Sequence, residues 1–155
     1  MSQEKSLQEK YAPKSICFGC GPANEKGLRI RSFPKDDVVV CDFKPEEHHR
    51  AFPGMLNGGI AGALLDCHSN WAAAWHYMQV NKLEKPNSTV TAEFSVRLLK
   101  PVPSDKVLHL EARVVENKGR KMKVDAELKA DGETCATCKG LFVAVKPGHP
   151  AYDRW

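Results

Sequence analysis

Between Asn57 and Gln79 the chain holds a helical stretch that is apolar nearly all the way round, and from Ser88 onward the apolar period drops to two. Ile60, Leu64, Cys67, Trp71 and Trp75 recur at spacings of three and four, with no broad charged face to balance them. Val90, Ala92, Phe94, Val96 and Leu98 then alternate strictly with Thr89, Thr91, Glu93, Ser95 and Arg97, the pattern of a half-buried strand. Leu108, Leu110, Ala112 and Val114 repeat it, as do Met122, Val124, Ala126, Leu128 and Ala130. A last strand runs from about Thr134 to Val145, ahead of Pro147-Gly148. A helix with no polar face has to be buried, and a large sheet curling around it is the arrangement that does so.

Upstream, Leu28–Phe33 and Val38–Phe43 flank the turn signal PKDD and are expected to form a hairpin. The later strands are joined by the short segments PVPSD, ENKG and ADG, which favours an antiparallel meander. The expected order is β-β-α-β-β-β-β, an α+β domain over residues 16–147. A poorly fixed polar lead-in, with a short helical turn before Pro13, is expected at 1–15 and a C-terminal tail at 148–155.

With 155 residues, 42% of them hydrophobic, the chain suffices for one domain with a real core. Its 23 basic and 19 acidic residues leave an excess too small for a nucleic-acid binder, though one compatible with an anionic ligand. The opening MSQEKSLQEK has no apolar targeting core and no run approaches the roughly 18 apolar residues that span a bilayer, so a cytoplasmic protein without membrane association is expected. In that compartment the six cysteines read as reduced thiols. Two C-x-x-C units, at Cys17/Cys20 and Cys135/Cys138, raise zinc. The second unit lies in a strand, where residues three apart face opposite sides, and the first offers two ligands unless Cys41, His48 or His49 joins it. No metal or cofactor is expected, and Cys67 reads as a small apolar packing residue.

The stretch Phe52–His68, FPGMLNGGIAGALLDCH, is chemically distinct. Asn57 is placed to cap the helix, and Gly58 and Gly59 open it, baring N–H groups at the positive end of the helix dipole. Asp66 shares a helical face with Gly59, Gly62 and Asn70. Amide donors and a carboxylate with apolar flanks suit acyl transfer: the first polarise a carbonyl, the second activates water or attacks directly. The alternative is that the glycines serve close packing and Asp66 pairs locally. His68, two residues on, points about 160–200° away from Asp66 and reads as a packed or dimer-facing side chain.

Taken together, CFGCGPANEKGL, PGMLNGGIAGALLD, FSVRLLKPVP and the KGRK turn resemble, in order and spacing, a hotdog-fold acyl-CoA thioesterase of the phenylacetate-pathway-type branch of the 4-hydroxybenzoyl-CoA thioesterase superfamily. The resemblance runs from about Cys17 to Val145. It implies a long central helix wrapped by a curved antiparallel sheet and hydrolysis of an acyl-CoA thioester. It makes Asp66 the base or nucleophile, and Gly58 and Gly59 the donors to the thioester carbonyl. Asn57 stands where relatives carry histidine, so this position can donate a hydrogen bond but cannot titrate. Thr91 falls where some members use a hydroxyl to hold the water, and Ala51 where some carry an asparagine, leaving His48, His49 and His68 as the nearest substitutes.

The resemblance also implies a homodimer or tetramer with sites at the dimer interface. Its coenzyme-binding positions fall on Lys100, Arg120 and Lys121, while His49 sits in the loop before the helix and would reach a ligand if that loop folded over it. The rival from another class is a non-catalytic acyl-CoA-binding or regulatory hotdog domain, suggested by the missing histidine. Dehydratase chemistry is disfavoured because the helix start lacks that histidine.

Overall fold

The computed structural model describes residues 4–155. One long helix, α2 (Gly58–Val80), lies against a six-stranded antiparallel sheet built from β1 (Phe33–Lys35), β2 (Val38–Phe43), β5 (Thr89–Leu98), β6 (Leu108–Lys118), β7 (Lys121–Ala130) and β8 (Glu133–Ala144). A short helix, α1 (Leu7–Tyr11), precedes them, and a small ribbon of β3 (Arg50–Phe52) and β4 (Met55–Leu56) leads into α2. This is the expected hotdog fold. The core lies between α2 and the sheet: Ala61, Leu64, Leu65, Trp71, Ala72 and Ala73 pack on Leu110, Met122, Val124, Leu128 and Phe142. No helix among the described residues is long and apolar enough to cross a membrane.

Three expectations change. The sheet order is β1-β2-β6-β7-β8-β5, so the last strands are not a continuous meander: β5 and β6 are consecutive in sequence yet lie apart in the sheet. PVPSD is therefore part of a crossover, in which Pro103 bridges to Met55 beside the entrance of α2, and not a hairpin turn. The first strand covers only Phe33–Lys35, while residues 28–32 lead into it outside the sheet, held by Leu28 N to Phe18 O and Ile30 N to Gly19 O. Apolar side chains there are buried against the entry loop, which a strand pattern alone does not distinguish from sheet pairing.

The third change concerns the ends. Residues 1–3 of the expected lead-in lie outside the described residues, but 4–15 are packed. Ser6 caps α1 in a reciprocal arrangement with Glu9, Leu7 is buried, and the buried Gln8 amide donates to Ser32 Oγ and accepts from Ser32 N. At the other end Trp155 stacks on Trp71 with ring centroids 4.2 Å apart, and Arg154 donates to Ser88 Oγ. Both segments are polar in composition, and their anchors are single side chains that periodicity does not register.

The edge strand β5 holds the detail that matters most for the site. Its pairing with β8 shifts register between Thr91 and Glu93, leaving Ala92 as a bulge. Strict alternation puts Thr91 on the face opposite Phe94, Val96 and Leu98. The bulge resets the phase, so Thr89 and Thr91 join those apolar residues on the side facing α2.

Candidate active site

Asn57 caps α2 as expected: its Oδ1 accepts from Ile60 N at 3.1 Å and its carbonyl from Ile60 and Ala61. Gly58 and Gly59 then form an exposed first turn, and neither amide has an acceptor among the described residues. A β-carbon on Gly58 would come within 3.3 Å of Leu98 Cδ1, and one on Gly59 within 2.9 Å of the capping Asn57 oxygen. One on Gly62 would meet open space, so the helix face running from the glycines toward Asp66 borders a free volume.

Asp66 is half-buried and its Oδ1 accepts from Thr91 Oγ1 at 2.7 Å. Burial pushes its carboxyl above the usual aspartate range; the Thr91 hydroxyl opposes this, the Cys17 charge adds to it, and Arg154 acts against it. One turn on, Thr89 Oγ1 donates to Asn70 Oδ1 at 2.7 Å, so two hydroxyls of β5 tie into α2 side by side. Asp66 and Thr91, chosen from the sequence, are thus brought together. The glycines are not: Gly58 lies eight residues before Asp66, about 12 Å along a helix axis, too far for both to act on one carbonyl.

The remaining candidates are scattered. Arg120 donates from Nη1 to the carbonyls of Ala144 and Val145 and borders a groove of about 560 Å³ with Val90, Val143, Lys146 and His149. Lys121 faces Val143 across the strands, on that same side of the sheet. Lys100 sits beyond the opposite end of β5, roughly 30 Å of extended chain from Val90, and pairs with Glu133 at 2.7 Å. His49 is buried, with Nδ1 accepting from Glu46 N at 3.0 Å and its ring against Phe43; burial lowers its pKa. His68 is no substitute for a site asparagine: it is fully enclosed, between Ser32 Oγ and Val39 O at 2.8 Å each.

Sequence reasoning missed a neighbour of Asp66. The entry loop carries Cys17 and Cys20 onto α2, so that the Cys17 and Cys67 sulfurs stand 3.9 Å apart and all three sulfurs lie within 4.8 Å of one another. Donation from the Cys20 and Cys67 thiols, with the Cys20 and Gly19 amides, holds Cys17 well below the usual thiol range; its neighbours are raised in turn, Cys20 to about 11. The signal was Gly19: a β-carbon there would fall 2.3 Å from Cys67 Sγ, so the loop's glycine exists where it meets the helix.

The model of the thioesterase superfamily (4HBT) matches residues 53–137, more than half of the chain, from the turn before β4 into β8. This chain belongs to the thioesterase superfamily. The matched region contains α2, Asp66 and Thr91. A search of curated proteins found no match. Among solved structures, a thioesterase superfamily protein from Shewanella loihica PV-4 is 26% identical, with a TM-score of 0.66 over 81% of this chain and 98% of that one. Zebrafish thioesterase superfamily member 2 is 18% identical at a TM-score of 0.65, covering 79% and 90% of the two chains. The E. coli PaaI protein from the phenylacetic acid degradation operon is 16% identical at 0.64, covering 77% and 81%. The last two share the fold; superfamily membership supports thioester hydrolysis as the general activity.

Proposed function

We propose that this superfamily member hydrolyses acyl-CoA thioesters, with Asp66 as general base. The observation that carries the reading is the 2.7 Å hydrogen bond from Thr91 to Asp66 Oδ1. It fixes the carboxylate and leaves the other oxygen free to take a proton from water as the water oxygen bonds to the thioester carbon. The carbonyl oxygen becomes an oxyanion held by the amides of Gly58 and Gly59, with Asn57 beside them. Collapse breaks the C–S bond, and the leaving thiolate recovers the proton from Asp66.

The separation of about 12 Å between Gly58 and Asp66 supports a reading in which the two halves belong to different sites, each completed by a second copy. The edge strand β5 supports this, because Phe94 and Leu98 are 45% and 55% exposed on its helix-facing side. Antiparallel pairing of two such edges would bring the Lys100 end of one chain to the Arg120–Lys121 groove of the other. Cations at both places suit the phosphates of coenzyme A.

The test is hydrolysis of a panel of acyl-CoA esters by the wild-type chain and by Asp66→Asn. Turnover by the first, lost in the second, supports the reading. Tight acyl-CoA binding with no turnover by the wild-type chain would replace it with a binding module.

A further inference from the structure

We propose that Cys17, Cys20 and Cys67 form a mononuclear zinc(II) site that fastens the entry loop to α2. Zinc–thiolate bonds of about 2.3 Å in tetrahedral array put sulfurs about 3.8 Å apart. The Cys17 and Cys67 sulfurs are 3.9 Å apart, and the three sulfurs all fall within 4.8 Å of one another. Two ligands come from a C-x-x-C loop and the third from a helix 50 residues away, so binding would cross-link distant parts of the chain.

A second observation is the shell of N–H groups around the sulfurs. Trp71 Nε1 donates to Cys20 Sγ at 3.4 Å, although an indole buried in an apolar core has few reasons to be aimed at a thiol. The Gly19 and Cys20 amides face Cys17. Donors of this kind orient and stabilise metal-bound thiolates. The glycines around them are tailored to the same contact. Gly19 has no room for a β-carbon beside Cys67, and one at Gly21 would lie 2.4 Å from Ser15 O and 2.5 Å from Cys17 N. CFGCG is thereby a loop shaped to set two sulfurs against a third.

Three soft ligands suit zinc or copper(I). Zinc is favoured because Cys17 and Cys67 are only partly buried, which leaves a fourth position for water, whereas a three-coordinate copper(I) site needs no such opening. Among the described residues no fourth histidine, cysteine or carboxylate joins the cluster. The remaining thiols are elsewhere: Cys41, Cys135 and Cys138 are buried outside it. Cys67 directly follows Asp66, so an ion here would brace the helix turn that carries the carboxylate without touching substrate. The inference stands whether or not the chain is a hydrolase.

The test is elemental analysis of the full chain purified without chelator, followed by cobalt(II) titration of the chelator-stripped protein and sulfur counting by X-ray absorption on the zinc form. About one zinc per chain, tetrahedral cobalt bands with thiolate charge transfer, and three sulfurs at about 2.3 Å are expected. Cys17→Ser and Cys67→Ser should lower zinc content at least about tenfold, while Cys41→Ser and Cys138→Ser keep it. Should a serine variant fail to fold, the sulfur count on the wild-type protein decides alone. No metal, one copper, a count of two sulfurs, or a Cys17–Cys67 disulfide in protein purified under reducing conditions would overturn the proposal.

Discussion

Thr91 reaches Asp66 because of one extra residue. Its hydroxyl lies 2.7 Å from the carboxylate only because the bulge at Ala92 turns it onto the face of β5 that meets α2. Removing that hydroxyl frees the carboxylate to rotate. Thr91→Val should lower kcat about 10- to 100-fold, in line with a hydrogen bond to a charged group, with a smaller effect on KM. Thr91→Ser should recover most of the loss. Steady-state kinetics on one good acyl-CoA substrate checks both, and equal activity of the valine variant would remove Thr91 from the site.

Asp66→Asn should cost more, at least about 10²-fold in kcat, because the amide cannot accept the proton of the attacking water. The fold should survive, since among the described residues Asp66 makes a single side-chain hydrogen bond, and it is not enclosed. Far-UV circular dichroism and a melting curve alongside the kinetics separate loss of chemistry from loss of structure.

These two residues also show how much the sequence carries. Asp66 was legible because a lone acid in an apolar helix behind two glycines is chemically conspicuous, and the long helix and the strands after it follow from their periods. The Thr91 contact was legible only through family resemblance, since alternation puts that hydroxyl on the wrong face and a bulge leaves no mark in an unbroken pattern. Strand order was illegible for a similar reason: PVPSD is as short as a hairpin loop, and where its two strands lie is decided by the whole sheet. Cys67 looked like packing, because its partners are 50 and 47 residues away.

Helix entry gives a stability prediction. Asn57→Ala removes the side-chain acceptor of the Ile60 amide, leaving it the Asn57 carbonyl, and should cost about 1 kcal/mol, whereas Asn57→Asp keeps the cap and favours the helix dipole. Urea midpoints at pH 7 check the order, with aspartate at or above wild type and alanine below.

His68 sets an acid limit on stability. Its ring is enclosed by Ser32 and Val39, and Ser32 is engaged by Gln8, so burial, with the charge of His109, lowers its pKa to about 4. The unfolded chain, with an ordinary histidine pKa near 6.5, then binds more protons than the folded one between about pH 6.5 and 4. Stability falls as pH drops through that window, by at most about 3 kcal/mol, and is untouched by this group above it. His68→Gln should be less stable at pH 7 but show a flatter decline from pH 6.5 to 4.5 in urea titrations. An unchanged slope would assign the acid sensitivity to other groups.

The separation of Gly58 from Asp66 makes the last prediction. If each site takes its glycine amides from one chain and its carboxylate from another, two different inactive variants should restore each other. Gly58→Val crowds Leu98 at the helix entrance and blocks carbonyl access, while Asp66→Asn removes the base. Either alone should be nearly inactive. Unfolded together and refolded as a mixture, about half the dimers would be mixed, and each mixed dimer would hold one intact site and one doubly broken. Activity should therefore rise to about a quarter of wild type. A site built within one chain gives no recovery, because no mixture then reunites intact glycines with an intact Asp66. Phe94→Asp, which puts a charge on the exposed edge of β5, should prevent the recovery and shift the protein toward monomer in light scattering.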